Sequence, residues 1–386
     1  MKDILFNASR VLGRTRYPWV DYARGITIIL VVYRHIFEGL AYVGDQGSYT
    51  YPALKYSNIF FFSFRMPLFF MVSGMFLSNT LARNGMGEYI KKRFSNIFYP
   101  LLIWGSIQVS LQLLFANYVH ADRVPMDYLN LIINPRRIEQ FWYLNALFFV
   151  GVLYVLVRTY LNYKPWQQLI LGLLFFIIAA ILKMNAIEAG FIFDILFFYI
   201  FFAIGDVISR VVLHARNYSV LTSPKTMLLI LPVFVLIQYY FTEINLEMQD
   251  DYYVQYTMPW LYVIAALAGG AFIVNLSFIL EKLDVLRFLR VIGYHSLYIY
   301  VIHLMITSFT RTFFVRILDI TYVPLILVAS MITGILIPII FYNLAMRLNG
   351  WWLFSSRAPA ATASGLSRKP GFFAMPGSDK KEKEQS

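Results

Sequence analysis

Apolar runs long enough to cross a membrane recur at short intervals along this chain. A hydrocarbon core about 30 Å thick requires about 20 apolar residues in a helix. Backbone groups in lipid must be hydrogen-bonded within the segment, so each run is predicted to be helical. The pattern thus predicts an all-α polytopic membrane protein with about ten transmembrane helices. The predicted spans are 19–41, 57–81, 97–118, 141–160, 166–185, 190–212, 226–242, 257–280, 291–315 and 321–346.

Polar segments flank this apolar block on both sides. Residues 1–18 form a basic N-terminus, and residues 19–346 form one transmembrane domain. Residues 357–386 are rich in Ala, Ser, Gly, Pro and Lys, a composition typical of a disordered tail. The first apolar run is longer than the core of a signal peptide and has no small-residue cleavage site, so we expect an uncleaved signal anchor.

Composition and charge support a membrane location. Hydrophobic residues make up 59% of the chain and charged residues only 14%, whereas soluble domains carry about a quarter charged residues. Of the 33 basic residues, 23 lie on one side of the predicted helices. Basic loops face the cytoplasm, which predicts a multi-pass protein of the bacterial inner membrane with both termini cytoplasmic. The net charge of +12 is therefore a topology signal, and no nucleic-acid partner is expected.

The chain contains no cysteine, which excludes disulfides, thiolate metal ligands and a cysteine nucleophile. It also shows no paired metal ligands, Gly-rich phosphate loop or dinucleotide fingerprint. We therefore expect no metal cofactor.

The first predicted helix carries the densest group of ionisable residues. Such residues are costly at membrane depth, so each one indicates a functional site. Arg24 and His35 are eleven positions apart, which is three helical turns plus about 20° and a rise of roughly 16 Å. Both side chains are thus predicted to lie on one face, along a single cavity that runs from Arg24 to near His35. Glu38 follows one turn after His35 and is placed to orient or charge-stabilise the imidazole.

These residue types suit acid–base chemistry next to an anion site. Histidine accepts a proton near neutral pH, and an arginine on the same face binds phosphate through paired hydrogen bonds. The alternative interpretation is a polar contact between helices without chemistry.

Four motifs in chain order resemble the acyltransferase 3 family of membrane acyltransferases. They are YARGI at 22–26 leading to His35, FRMPLFF at 64–70 leading to Ser73 and Gly74, FWYL at 141–144, and IGYHSLYIY at 292–300 leading to His303. The first has the arginine–ten residues–histidine spacing of that family. The resemblance extends from residue 19 to about residue 345.

The resemblance implies transfer of an acyl group, usually acetyl from acetyl-CoA, to a hydroxyl of an exopolysaccharide or cell-surface glycan or its lipid-linked precursor. It implies catalytic roles for His35 and Arg24, with Glu38 as a helper. His35 would act as general base or as an acyl-histidine relay, and both routes remain open. The implied partners are the carbohydrate acceptor, the lipid bilayer and other polysaccharide-assembly proteins.

Five further residues are candidates for binding the donor: Lys91, Lys92, Arg93, Arg65 and Ser73. The basic run at 91–93 suits the phosphates of coenzyme A, although membrane topology alone also explains it. Arg65 stands where relatives often have histidine, and Asn96 stands where they often have a second arginine. Ser73 lines the donor path or, together with Gly74, permits close helix packing.

Three residues are candidates for lining the acceptor cavity. Trp142 and Tyr143 begin the fourth predicted helix, where aromatic residues form an interfacial belt or stack on a sugar. His303 lies mid-membrane and is either a cavity residue or a packed polar contact.

A different class of function is also compatible with buried Arg, His and Glu, namely a transporter or flippase for a glycolipid or small solute. Transporters commonly have paired halves with broken helices at matched positions, and no such pairing is visible in this sequence. A sensor or scaffold would leave the charges of the first helix unexplained. Consumption of a thioester donor separates an acyltransferase from a transporter.

Overall fold

The computed structural model describes residues 5–13, 17–41, 43, 47–116 and 123–358. Within these ranges the chain is helical and has no β-strand, as the sequence predicts for an all-α membrane protein. Most of the predicted tail at 357–386 lies outside the described residues.

The described part of the chain forms helices that follow one another with short connections. Its first half contains α1 (Ala8–Leu12), α2 (Pro18–Gly39), α3 (Pro52–Phe60), α4 (Phe62–Met75), α5 (Leu77–Arg93), α6 (Tyr99–Leu114), α7 (Asp127–Ile133) and α8 (Phe141–Tyr160). Its second half contains α9 (Pro165–Met184), α10 (Phe191–Val212), α11 (Tyr218–Leu221), α12 (Pro224–Glu247), α13 (Tyr253–Thr257), α14 (Pro259–Leu283), α15 (Phe288–Tyr294), α16 (Ser296–Thr312) and α17 (Val323–Arg347).

Nine helical segments in the described residues are long and apolar enough to cross a membrane. Helix α2 has 22 residues and is not among these nine, and it carries four charged residues. Asp21, Arg24, Arg34 and Glu38 lie along it, and it packs against α4, α14, α15, α16 and α17. Burial among neighbouring helices keeps its charged side chains away from lipid. Counting α2 as the tenth span agrees with the predicted architecture.

Two predicted spans are corrected in detail. The span predicted at 57–81 covers the end of α3, all of α4, which contains Pro67, and the first residues of α5. The span predicted at 97–118 is continuous with α5. A π-helical turn at Phe94–Phe98 connects α5 to α6. Helix α5 is broken at Gly85, where φ is +70°, a conformation that glycine adopts without strain. The basic run at 91–93, predicted as a loop, is therefore the last turn of a helix.

Part of the basic N-terminus predicted at 1–18 is helical in the described residues. Helix α1 lies beside α15, where Val11 forms a small apolar cluster with Val291 and Tyr294. The bundle thus has a basic end, where α1, the start of α2 and the end of α5 lie, and an opposite end, which we call the far end.

Glycines allow the central helices to approach closely. A Cβ on Gly74 of α4 would lie 2.1 Å from the carbonyl oxygen of Phe202, and one on Gly205 of α10 would lie 2.0 Å from that of Met71. Helices α4 and α10 therefore pack backbone to backbone, as small residues permit in membrane bundles. This contact holds the end of α4, with Ser73, in the middle of the bundle.

Candidate active site

One face of α2 lines two adjoining cavities in the bundle. Arg24 and Ile28 contribute to the first cavity, and Val31, His35 and Glu38 contribute to the second. These positions are spaced by three or four residues, which is the period of one helix face. Arg24 and His35 thus lie on one face of α2, as the sequence predicts. We call the cavity toward the basic end the near cavity and the other the far cavity.

The near cavity is small, with a volume of about 30 Å³. Besides Arg24 and Ile28 of α2, its walls come from helices α4, α8 and α16. The Nη2 atom of Arg24 donates a hydrogen bond of 2.7 Å to Oγ of Ser296, at the start of α16. The remaining lining residues are Phe69, Val72, Ser73, Tyr143, Leu144, Leu147, Leu297 and Tyr300.

Arg93 reaches the edge of the near cavity from the last turn of α5. It donates hydrogen bonds to Oγ of Ser73, to the hydroxyl of Tyr89 and, at 2.8 Å, to the carbonyl of Leu147. In the described part of the chain, no carboxylate lies within 4.0 Å of its guanidinium. The neighbouring Lys91 and Lys92 are exposed instead. The structure thus separates three residues that the sequence grouped, because only Arg93 points into the bundle.

The far cavity is larger, with a volume of about 100 Å³. It combines aromatic rings with charged side chains, mostly from helices α2, α4, α8, α10 and α14 and from the segments before α8 and α14. Its lining residues are Val31, Arg34, His35, Glu38, Phe62, Arg65, Met66, Arg136, Trp142, Phe198, Tyr252, Gln255, Tyr262 and Tyr300.

His35 sits beside a paired carboxylate at the end of α2. Its Nδ1 atom is 3.8 Å from Oε2 of Glu38. The other carboxylate oxygen of Glu38 lies 2.5 Å from Arg34 and accepts a 3.1 Å hydrogen bond from the hydroxyl of Tyr252. Burial raises the pKa of Tyr252 above its ordinary value, so this hydroxyl keeps its proton and donates. Glu38 is therefore held in a fixed position next to the imidazole.

A second histidine faces His35 across the cavity wall. The rings of His35 and His303 have centroids 5.3 Å apart. The Nδ1 atom of His303 lies 2.9 Å from the carbonyl oxygens of Ile299 and Tyr300, so it carries the proton of the neutral ring. Its Nε2 atom is buried and has no hydrogen-bond partner among the described residues. His303 thus presents a lone pair inside the bundle next to His35.

An ion pair missed in the sequence borders the far cavity. The guanidinium of Arg136 binds the buried Asp194 through Nη2 at 2.6 Å and Nε at 2.9 Å. It also lies 4.6 Å from the ring centroid of Trp142. Asp194 is an acidic residue inside a predicted membrane span. This position is a signal in the sequence that could have identified it as a site residue. Trp142 therefore belongs to a charged cavity wall, while the adjacent Tyr143 lines the near cavity.

Arg65 was grouped with the donor-binding residues, and the structure places it in the far cavity instead. It lies in the first turn of α4, at the far end, whereas Arg93 lies at the other end of the bundle. Its guanidinium is buried and donates to the carbonyl oxygens of Leu30 at 2.9 Å and Asn58 at 2.7 Å. Arg65 and Arg93 thus lie in different parts of the bundle.

Tyr300 lines both cavities. Its ring packs against Tyr143 with centroids 5.1 Å apart, and its hydroxyl donates to the carbonyl of Gln140. Sequence analysis predicted one cavity along α2, and the structure shows two that meet at this side chain. Neither Tyr300 nor Ser296 stood out in the sequence as a site residue, because an aromatic or hydroxyl group in a membrane helix has a packing role more often than a chemical one.

No cluster of three or more His, Asp or Glu side chains suited to a metal ion occurs in the residues that the structure describes. The groups that these two cavities offer for chemistry are the imidazole of His35 beside the carboxylate of Glu38 in the far cavity, and the guanidinium of Arg24 in the near cavity.

Comparison with known proteins identifies the family. Residues 17–356 match the model of the acyltransferase domain of the acyltransferase 3 family. This match covers most of the chain and both cavities.

Two curated relatives share a shorter region. The chain is 26% identical over 149 residues to the nodulation protein NolL of Mesorhizobium japonicum, which covers 38% of this chain and 37% of that protein. It is 27% identical over 126 residues to the nodulation protein NolL of Sinorhizobium fredii, covering 33% of this chain and 32% of that protein. The chain thus spans about a third of the length of the curated relatives it matches. No solved structure matches the chain.

Proposed function

Because the chain belongs to the acyltransferase 3 family, we propose that it is a membrane O-acyltransferase that moves an acetyl group from acetyl-CoA to a hydroxyl of a carbohydrate. The acceptor is an exopolysaccharide or cell-surface glycan or its lipid-linked precursor. The proposed location is the bacterial inner membrane, with the basic end in the cytoplasm. The excess of basic residues at that end supports this orientation.

The observation that carries the proposal is the alignment of Arg24 and His35 on one face of α2, each in one of two adjoining cavities. Their separation along the axis is roughly 16 Å. A long, thin donor with a charged head and a reactive tip fits such an arrangement. Its phosphates would be held at the basic end, and its thioester would reach toward His35.

On this proposal the near cavity binds the donor. Arg24 is the arginine that lines it, and Arg93 adds a guanidinium whose hydrogen bonds go to two hydroxyls and a carbonyl. Arginine binds phosphate oxygens in paired hydrogen bonds. Ser73 positions Arg93 at the cavity wall, while Lys91 and Lys92 provide exposed positive charge just outside.

The chemical step would take place where the cavities meet. His35 removes the proton of the acceptor hydroxyl as its oxygen attacks the thioester carbonyl. The tetrahedral intermediate then releases coenzyme A as a thiolate, which takes the proton from the imidazolium. Glu38 faces Nδ1 of His35 at 3.8 Å, so it stabilises the imidazolium and leaves Nε2 as the base. In the alternative route His35 itself carries the acetyl group between donor and acceptor.

The far cavity provides the features of a carbohydrate site. Sugars present apolar ring faces and many hydroxyls, so their sites combine aromatic rings with hydrogen-bonding groups. Trp142, Tyr252 and Tyr262 supply rings, and Gln255 has a buried amide oxygen without a partner in the described residues. The aromatic residues thus serve the acceptor on this proposal, in addition to any role at the membrane interface.

The test measures release of free thiol from acetyl-CoA by purified protein in lipid nanodiscs, with and without a carbohydrate acceptor mixture. We expect His35→Ala to lower the acceptor-dependent rate about 10²- to 10⁴-fold, the usual contribution of a general base. Arg24→Ala is expected to raise the KM for acetyl-CoA. The matched control is His214→Ala, which removes an exposed histidine and should leave the rate unchanged.

The two routes separate in the same experiment. An acetylated His35 trapped by rapid quench and found by mass spectrometry would establish the relay, and its absence together with acceptor-dependent thiol release would favour direct transfer. If wild-type protein neither binds nor consumes acetyl-CoA, the acyltransferase proposal is wrong, and a transporter becomes the better interpretation.

A further inference from the structure

The charges of the far cavity are unbalanced. Three arginines line it, Arg34, Arg65 and Arg136. Arg34 pairs with Glu38, and Arg136 pairs with Asp194. In the part of the chain that the structure describes, no carboxylate lies within 4.0 Å of Arg65. One positive charge in the cavity wall therefore has no counter-ion from the protein.

Arg65 is also among the most deeply buried charged side chains. It is 2% exposed, and its partners are two backbone carbonyls. Its Nε atom is buried without a hydrogen-bond partner in the described residues. A buried cation that is not fully compensated is costly in a membrane domain, so such residues mark binding sites.

A second unused donor lies on the same cavity. Nη1 of Arg34 is buried and unpartnered among the described residues, although Nη2 is engaged by Glu38 and Tyr252. Both guanidinium groups lie over the ring of Phe62, with centroid distances of 4.6 Å for Arg34 and 5.4 Å for Arg65. Two arginines that line the same cavity thus each have a buried N–H group without an acceptor among the described residues. Carboxylates and phosphates are the groups that arginine recognises best.

We propose that the far cavity takes an acceptor that carries an anionic group, either a carboxylate on the sugar or a phosphate close to it, and that Arg65 binds this group. The inference rests on the proposed function, in which the far cavity holds the acceptor. The remainder of the site suits the uncharged part of the same molecule, since aromatic rings surround the two arginines. A neutral glycan of the same size would leave Arg65 without a counter-ion and would bind more weakly.

The experiment compares three acceptors in nanodiscs: a glucuronic acid disaccharide, the matched glucose disaccharide, and a glucose disaccharide on a short polyprenyl diphosphate. Binding of each to the protein without donor is measured by calorimetry, and acetyl transfer is measured by thiol release. We expect at least a tenfold preference for an anionic acceptor over the neutral one. Preference for the glucuronide identifies a carboxylate on the glycan as the anion, and preference for the lipid-linked sugar identifies the phosphate of its carrier.

Variants link the preference to Arg65. Arg65→Gln should remove most of the preference, while Arg65→Lys, which keeps the charge, should retain part of it. The matched control is Lys55→Gln, which removes a positive charge near the far end from a residue outside the cavity lining and should preserve the preference.

The outcomes distinguish this inference from the proposed function. Equal binding of all three acceptors by wild-type protein would overturn the inference, even if thiol release is robust. Charge preference that persists in folded Arg65→Gln would also overturn it. If an anionic acceptor binds in an Arg65-dependent manner but no thiol is released, the acyltransferase proposal fails and the anion site stands.

Discussion

The two cavities stabilise buried arginines in different ways. At the near cavity, Arg93 has only hydroxyl and carbonyl partners, so its charge is solvated but not neutralised. At the far cavity, Arg34 and Arg136 are paired with carboxylates. Dipoles satisfy the hydrogen-bonding groups of a cation and leave its charge available, whereas an ion pair cancels most of that charge. This difference supports the proposed assignment of a strongly anionic donor to the near cavity, and of a mostly neutral acceptor, apart from the group facing Arg65, to the far cavity.

The largest expected effect concerns the framework of the near cavity. Gly74→Ala would place a methyl group 2.1 Å from the carbonyl oxygen of Phe202, so α4 and α10 would have to separate. Overpacking costs typically 1–3 kcal/mol and occasionally more, and here backbone blocks the added atom. We expect a marked loss of thermal stability, measured by size-exclusion chromatography after heating.

The control for this change is Gly87→Ala in α5, where an added Cβ meets no atom within 4 Å. This variant should have the same melting temperature as the wild type. Wild-type stability of Gly74→Ala would show that the close contact between α4 and α10 does not hold the near cavity together.

The next effect separates donor from acceptor binding. Arg93→Ala removes a cation from the near cavity, and hydrogen bonds to charged groups contribute about 1.5–3 kcal/mol. We expect the KM for acetyl-CoA to rise about 10- to 100-fold, as that energy implies, with little change in the KM for the acceptor. The control is Lys225→Ala, because Lys225 is exposed and lies outside both cavity linings. An increase confined to the acceptor KM would reverse the assignment of the two cavities.

The smallest effect is expected where the cavities meet. Tyr300→Phe keeps the ring but removes the hydroxyl that donates to the carbonyl of Gln140. A neutral hydrogen bond contributes about 0.5–1.5 kcal/mol. We therefore expect kcat for acetyl transfer to fall a few-fold, without a change in either KM. Tyr294→Phe, outside both cavity linings, is the comparison. A large change in one KM alone would place Tyr300 in one cavity rather than between them.

Much of the fold and part of the site follow from the sequence. Apolar runs of membrane length predict the spans because lipid leaves the backbone no other structure. The placement of Arg24 and His35 on one face follows from helical periodicity, and their burial follows from the cost of charge in lipid. These are local properties, so no knowledge of other helices is required.

Features that depend on contacts between distant segments could not be predicted. Arg136 and Asp194 are 58 positions apart, and nothing in the sequence pairs them. The difference between Arg93 and its two lysine neighbours depends on which face of α5 packs against α4 and α8. Arg65 was assigned by a motif that does not encode depth, and its position at the far end became visible only once α4 was placed.

The junction at Tyr300 has a consequence for the cell's energy supply. One elementary charge moving across a membrane potential of 100 mV releases about 2.3 kcal/mol, so an open aqueous path through the bundle would dissipate any such potential. Tyr143 and Tyr300, with rings 5.1 Å apart, occupy the place where such a path would run. On the proposed function, transfer of a small uncharged acetyl group at this point would modify a glycan without opening a path for ions.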